Sequence, residues 1–172
     1  MSQSLLMALL RISSPTYKEK EKCDFLESWL SRELPSFSVT RFGNNMIAKN
    51  KQESGPHIGF VGHIDTVPEF FDPYEENGKL FGSGASDMQA GLASMLTFVK
   101  ENEMALTDKY RVSIIIYDKE EGTPLHENGL NELIVAEPES IDAMDVAIVG
   151  EPTNNAIQLG CVGSIHYTLT VH

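Results

Sequence analysis

His63 and Asp65 stand directly behind the apolar run Ile58-Gly59-Phe60-Val61, inside Gly62-His63-Ile64-Asp65-Thr66-Val67-Pro68. The run predicts a buried strand, so the histidine steps off a strand end, where open α/β sheets place ligands. In extended backbone, residues i and i+2 face the same way. The Asp65 carboxylate can therefore accept a hydrogen bond from one imidazole nitrogen and leave the other free for a metal, the usual arrangement behind a ligating histidine. Pro68 fixes the turn that leaves the site. Two further apolar runs end in the same manner. Arg111–Tyr117 leads into Asp118-Lys119-Glu120-Glu121-Gly122, and Asp145–Val149 leads into Gly150-Glu151-Pro152-Thr153. If these strands are parallel neighbours, their terminal side chains converge on one sheet edge. Asp87 opens the apolar helix expected over Met88–Val99, behind the flexible Gly82-Ser83-Gly84-Ala85-Ser86. It can join them, because a helix N-terminus favours an anion.

Several carboxylates packed with one imidazole would repel each other, and their pKa values would rise. A divalent cation removes that penalty. Mixed histidine and carboxylate donors suit zinc, or cobalt and manganese. Two metals about 3.5–4 Å apart need a bridge, and Asp87, held at a helix start, is the natural one. Each piece also has a plainer reading. His63 can simply end a strand and Asp65 can be a turn residue. Asp87 can be an ordinary N-cap, Glu120-Glu121 a solvated turn, and Glu151 a loop residue. His57, His126 and His166 show no partner pattern and read as surface or packing residues. Cys161 reads as a small buried residue rather than a nucleophile.

The elements that must carry these residues follow from periodicity. Leu5, Leu6, Leu9 and Ile12 give a helix over Gln3–Ile12 that stops at Ser13-Ser14-Pro15. Phe25, Leu26, Trp29 and Leu30 form the buried stripe of a helix over Lys18–Leu34, with charges on the other face. Phe37–Arg41 and Asn45–Lys49 read as strands joined at Gly43-Asn44. Phe70–Gly78 reads as a loop, and Lys79–Phe81 as short and extended. Val112, Ile114, Ile115 and Ile116 mark a central strand buried on both faces. A helix around Glu127–Ala136 follows, and Ala156–Gly160 and Val162–Val171 read as strands. The alternation of strands and helices predicts an α/β fold, a three-layer α/β/α sandwich around a mostly parallel mixed sheet.

At 172 residues the chain has length enough for a core, and its formal net charge of −12 argues against nucleic acid and anionic membrane surfaces. No run approaches a membrane span or a signal pattern. The two cysteines, Cys23 and Cys161, give no disulfide framework. A reduced, cytoplasmic setting is expected.

Taken together, Gly62–Pro68, Gly84-Ala85-Ser86-Asp87-Met88, Glu120-Glu121-Gly122, Gly150-Glu151-Pro152-Thr153 and the closing Gly160-Cys161-Val162-Gly163-Ser164 resemble the dinuclear zinc amidohydrolases. That family includes succinyl-diaminopimelate desuccinylases, acetylornithine deacetylases and glutamate carboxypeptidases. Tyr117–Glu121 and Glu127-Asn128-Gly129-Leu130 resemble the desuccinylases most, in their actinobacterial form. The resemblance covers nearly the whole chain. It implies hydrolysis of N-succinyl-LL-diaminopimelate to succinate and LL-diaminopimelate, a step of lysine biosynthesis. The alternatives are an acetylornithine deacetylase, a metallo-carboxypeptidase, or a catalytically inert metal-binding module. It also implies roles. His63 and Glu151 would hold one zinc, Glu121 the other, and Asp87 would bridge them through a residue whose peptide to Met88 is cis. Asp65 would orient His63, and Glu120 would be the general base. The partner would be a small N-acyl amino acid.

Two features depart from the family. Gln89-Ala90 follows Met88 where lysine and glycine are common. The family's chains are also longer, with a lid that forms a homodimer and a late histidine that binds the second zinc. His172 stands at the end of what reads as the first lid strand and is a poor substitute. The chain thus reads as residues 1–160 of a catalytic domain, 161–172 as the start of a lid, and the piece alone as inactive.

Overall fold

The structure is a computed structural model and describes residues 2–160. Helices α1 (Ser2–Leu10) and α2 (Lys20–Glu33) open the chain, followed by strands β1 (Phe37–Phe42), β2 (Asn45–Asn50) and β3 (His57–His63). A two-stranded ribbon, β4 (Tyr74–Glu76) and β5 (Lys79–Phe81), precedes helices α3 (Ala90–Glu101) and α4 (Glu103–Lys109). Strand β6 (Arg111–Tyr117), helices α5 (Gly129–Ala136) and α6 (Pro138–Asp142), and strand β7 (Val146–Val149) complete the described part.

The main sheet has the order β1-β2-β6-β3-β7. Strand β3 runs parallel to both β6 and β7, whereas β1 pairs with β2, and β2 with β6, antiparallel. The sheet is therefore mixed, and its parallel part is the set of three strands whose ends carry ionisable residues. Alternation along β6 sends Val112, Ile114 and Ile116 to one face, where they pack with α1, α2, α3 and α4. Ile115 and Tyr117 go to the other face, beneath Leu133 of α5 and Ile141 of α6. This is the expected three-layer sandwich.

Several local expectations change. Tyr74–Glu76, expected in a loop, pairs antiparallel with Lys79–Phe81, and the Tyr74 and Phe81 rings stack at 4.9 Å. Helices α4 and α6 are short and carry no long apolar stripe, so periodicity did not reveal them. Lys22 was expected on a charged face of α2 but is buried with Cys23, Leu26, Trp29 and Leu30. Ala156–Gly160 is not a strand. Asn154 and Asn155 adopt left-handed backbone, and the Ala156 amide closes a turn onto the Thr153 carbonyl. Val162–Val171, with Cys161, His166, His172 and the expected lid boundary, lies outside the described residues.

Candidate metal centre

Parallel pairing gathers the candidate residues. His63 pairs with Tyr117 in register, and Val61 with Val149. The residues just beyond these pairs, Asp118–Glu121 and Gly150-Glu151, therefore emerge at the same carboxyl edge as His63. Asp87 comes from the side. It does not sit at a helix N-terminus as expected. Ala85–Gln89 forms a tight turn in which Asp87 (φ −118°, ψ 106°) and Met88 (φ −120°, ψ 32°) are not helical, and α3 begins only at Ala90. The Asp87-Met88 peptide is cis, as the resemblance implied. Gly84 enters the turn with φ +72°, and a Cβ there would lie 2.5 Å from the Thr66 methyl.

The imidazole of His63 is fully buried and organises the rest. Its Nε2 lies 3.1 Å from Asp87 Oδ1, 3.6 Å from Glu151 Oε1 and 3.9 Å from Glu120 Oε2. His63, Asp87 and Glu121 offer donor atoms that all lie within 4.8 Å of one another. On the other side of the ring, Nδ1 lies between the Asp65 backbone carbonyl oxygen (3.1 Å) and Asp65 Oδ1 (3.3 Å). The aspartate thus faces the imidazole as expected, although its main chain shares the contact. The His63 amide donates to Met88 Sδ at 3.3 Å, which ties the histidine to the turn that carries Asp87.

The electrostatics are those of a crowded anionic site. Burial pushes the Glu120, Glu121 and Glu151 carboxyls upward, and neighbouring carboxylates add to this. Glu151 reaches about 7, with Asp87 and Glu120 raising it and His63 opposing. Burial alone would lower the His63 pKa, but Asp65, Glu151 and Glu120 outweigh it and raise it to about 9. Asp65 goes the other way. Burial would raise it, but His63 and the amides of Glu120 and Glu121 hold it below the usual carboxylate range. Among the described residues no lysine or arginine pairs with Asp87, Glu120, Glu121 or Glu151. An imidazole nitrogen and carboxylate oxygens converging without a lysine or arginine are the donor set of a divalent-metal site. These residues fit such an ion.

Of the other members of the constellation, Ser14 and Thr16 were not singled out from sequence, and Gln89 stood out only as a departure from the family. Ser14 and Thr16 reach the site from the segment between α1 and α2: Ser14 Oγ donates to the Ile64 carbonyl (2.8 Å), and Thr16 Oγ1 to Asp65 Oδ2 (3.1 Å). Pro15 marked that segment as a helix end and nothing more. Gln89 is buried, its Nε2 donating to the Ile64 carbonyl at 3.3 Å. His57 lies at the opposite sheet edge against Ser113 (2.8 Å), a packing residue as expected.

The fold and this edge define a class. The chain belongs to peptidase family M20/M25/M40, whose model matches residues 59–171. The relatives sharpen the comparison. The chain is 34% identical, over 98% of its own length, to 46% of the succinyl-diaminopimelate desuccinylase of Corynebacterium glutamicum. It is 30% identical, again over 98% of its length, to 48% of the enzyme of that name from Sulfurovum sp. strain NBC37-1. The chain thus spans about half the length of the curated relatives it matches. Among solved structures, it superposes on the M20 family metallo-carboxypeptidase of Sulfolobus solfataricus with a TM-score of 0.71, 19% identity, and coverage of 87% of this chain and 37% of that one. For the YXEP protein of Bacillus subtilis, described as a dinuclear metal binding peptidase, the TM-score is 0.58 at 18% identity, covering 86% and 41%. At these identities the structures speak to the fold.

Proposed function

We propose that this chain forms the metal-binding part of an amide hydrolase acting on an N-acyl amino acid, with N-succinyl-LL-diaminopimelate as the substrate. One observation carries the reading: His63, Asp87, Glu120, Glu121 and Glu151 converge at one sheet edge, and among the described residues no lysine or arginine pairs with these carboxylates. The names of the relatives supply the choice of acyl group. His63, Glu151 and Asp87 would hold one zinc, and Asp87 and Glu121 would contribute to a second; cobalt or manganese suits the same donors. Metals held there polarise the amide carbonyl and lower the pKa of water. Glu120 would take the proton from the attacking water on its carboxylate and return it to the departing amine, a role worth about 10²–10⁴-fold. Its half-buried, anion-flanked carboxylate binds a proton more readily than a solvated one, which suits that exchange. Asp65 would keep His63 Nε2 turned toward the metal. The reading includes a cytoplasmic homodimer, supported by the family resemblance. Among the described residues no helix is long and apolar enough to cross a membrane.

The test is turnover by the zinc-loaded full-length protein, comparing N-succinyl-LL-diaminopimelate with N-acetylornithine. Release of succinate, lost in Glu120→Gln, supports the reading. Preference for N-acetylornithine would replace the substrate, and inactivity on both with metal bound would favour an inert metal-binding module.

A further inference from the structure

Asp65 is where the two halves of the site meet. Its carboxylate is fully buried. Oδ1 accepts from the Glu120 amide at 3.0 Å and Oδ2 from the Glu121 amide at 2.9 Å, while Oδ1 also lies 3.3 Å from His63 Nδ1. One side chain therefore sets both the imidazole and the backbone of the glutamate pair. Its remaining donor comes from a distant segment, since Thr16 Oγ1 sits 3.1 Å from Oδ2. Two carbonyl oxygens, of Thr66 and Glu121, are also near that hydroxyl, each at 3.4 Å. A hydroxyl has one proton to give, and the shorter, charged acceptor takes it.

Thr16 is held in place independently of Asp65. Ser14–Thr16 runs beside Ile64–Thr66. The Thr66 amide donates to the Ser14 carbonyl (2.9 Å), and the Thr16 amide donates to the Thr66 carbonyl (3.1 Å). Tyr17 then turns with φ +72°, its amide on Glu19 Oε1 (2.7 Å) and its hydroxyl on Glu127 Oε2 (2.8 Å). The strap is thus pinned on both sides of Thr16.

We propose that Thr16 is a positioning residue of the metal centre, its hydroxyl fixing the rotation of the Asp65 carboxylate and, through it, the His63 ring and the Glu120-Glu121 backbone. The inference rests on the metal-centre reading. Without the hydroxyl, Oδ2 keeps a single amide donor where no solvent reaches. The carboxylate then turns toward its remaining donors, and the histidine or the glutamate turn moves with it. Groups directly behind a ligating histidine are worth about 10–100-fold in metal affinity. Thr16 acts one contact further out, which places it at the lower end, about tenfold.

The test uses the full-length protein with Thr16→Val, which keeps the shape and removes the donor, and Thr16→Ser, which keeps the donor. Zinc affinity is measured by chelator competition, kcat and KM with the amide substrate, and folding by circular dichroism. Thr16→Val should bind zinc about tenfold more weakly and lose kcat with KM nearly unchanged, and Thr16→Ser should restore both. Unaltered zinc affinity in folded Thr16→Val, or an equal loss in Thr16→Ser, would overturn the proposal. If Thr16→Val does not fold, Thr16→Ala replaces it. Should that variant also fail to fold, the hydroxyl serves folding and the proposal is wrong. If the unaltered protein takes up no zinc, the metal-centre reading itself has failed and takes this inference with it.

Discussion

Replacing Gly91 by alanine should pull the metal centre apart from a position that touches no ligand. Gly91 lies in the first turn of α3, and the backbone of Gly150, just ahead of Glu151, packs where a side chain would go. An added Cβ would stand 1.9 Å from the Gly150 carbonyl oxygen and 2.8 Å from its carbon, and real Cβ contacts essentially never fall under 3.0 Å. Both partners are main chain, so no side chain can swing aside. Either α3 or the end of β7 must retreat by about 1 Å, and overpacking of this kind costs roughly 1–3 kcal/mol. Glu151 moves with Gly150, while Asp87 and Met88 move with α3. The 3.6 Å between His63 Nε2 and Glu151 Oε1 cannot then be kept together with the 3.1 Å to Asp87. Metal sites hold their ligand distances to about ±0.2 Å, and a misplacement near 1 Å costs about 10²-fold in rate. Gly91→Ala in the full-length protein should therefore lose at least about tenfold in zinc affinity and about 10²-fold in kcat, while its metal-free melting temperature falls by only a few degrees. Ser94→Ala, one turn along on the exposed side of α3, is the control. A folded Gly91→Ala that binds zinc as tightly as the unaltered protein would refute the placement of Glu151 beside Asp87.

On the proposed roles, Glu120→Gln should lower kcat by about 10²–10⁴-fold and leave zinc content, measured by elemental analysis, intact, because a residue acting as the base would not be a ligand. Lys22→Met should stabilise the protein at pH 6. Burial holds the Lys22 ammonium at about 7, against the ordinary 10.5, with the Asp65 carboxylate opposing the shift. Below pH 7 both folded and unfolded states carry the proton, and the burial cost is present in full. Between about 7 and 10.5 the unfolded state binds more protons, so stability rises with pH and the cost fades. Denaturant melts should show Lys22→Met ahead by about 1–4 kcal/mol at pH 6, with the lead shrinking toward pH 10; a lead independent of pH would mean that the lysine is not buried as a charge. A polypeptide ending at His172 should take up at most one zinc tightly and hydrolyse no N-succinyl-LL-diaminopimelate. Asp87 and Glu121 alone fall short of the three protein ligands a zinc site needs, and two tight zincs by calorimetry would show a further ligand within these residues.

The sheet edge was legible because apolar runs give way sharply to ionisable residues at the strand ends. Phe60-Val61, Ile115-Ile116 and Ile148-Val149 each give way within a few residues to groups that cannot stay in a core. Parallel pairing then needs no further information to bring His63, Glu121 and Glu151 together. Asp87 was placed less well. An aspartate before an apolar run fits an N-cap by composition, yet here the backbone is extended at Asp87 and helical only from Ala90. That geometry depends on what the turn packs against, including Met88 Sδ on the His63 amide, and no local propensity encodes it.

What sequence concealed most completely is the polar layer behind the ligands. Thr16, Lys22 and Asn45 lie on three separate elements, and each looks like surface by residue type. Thr16 donates to the Asp65 carboxylate, and Lys22 is buried with Asp65 as its counter-charge. Asn45 Oδ1 accepts the Asp118 amide at 2.8 Å, and its Nδ2 donates to Glu132, which also pairs with Lys119 at 2.7 Å. The Asp118–Glu121 turn is thus clamped from beneath by Asp65 and from outside by Asn45 and Glu132. A turn carrying two adjacent glutamates would repel itself toward solvent if left free. Asn45 on β2, Asp65 braced by Thr16, and the Lys119–Glu132 pair hold it against that repulsion. Periodicity reports which face of an element is buried, but these partnerships exist only between elements, so they become visible only once the sheet has brought β2, β3 and β6 side by side.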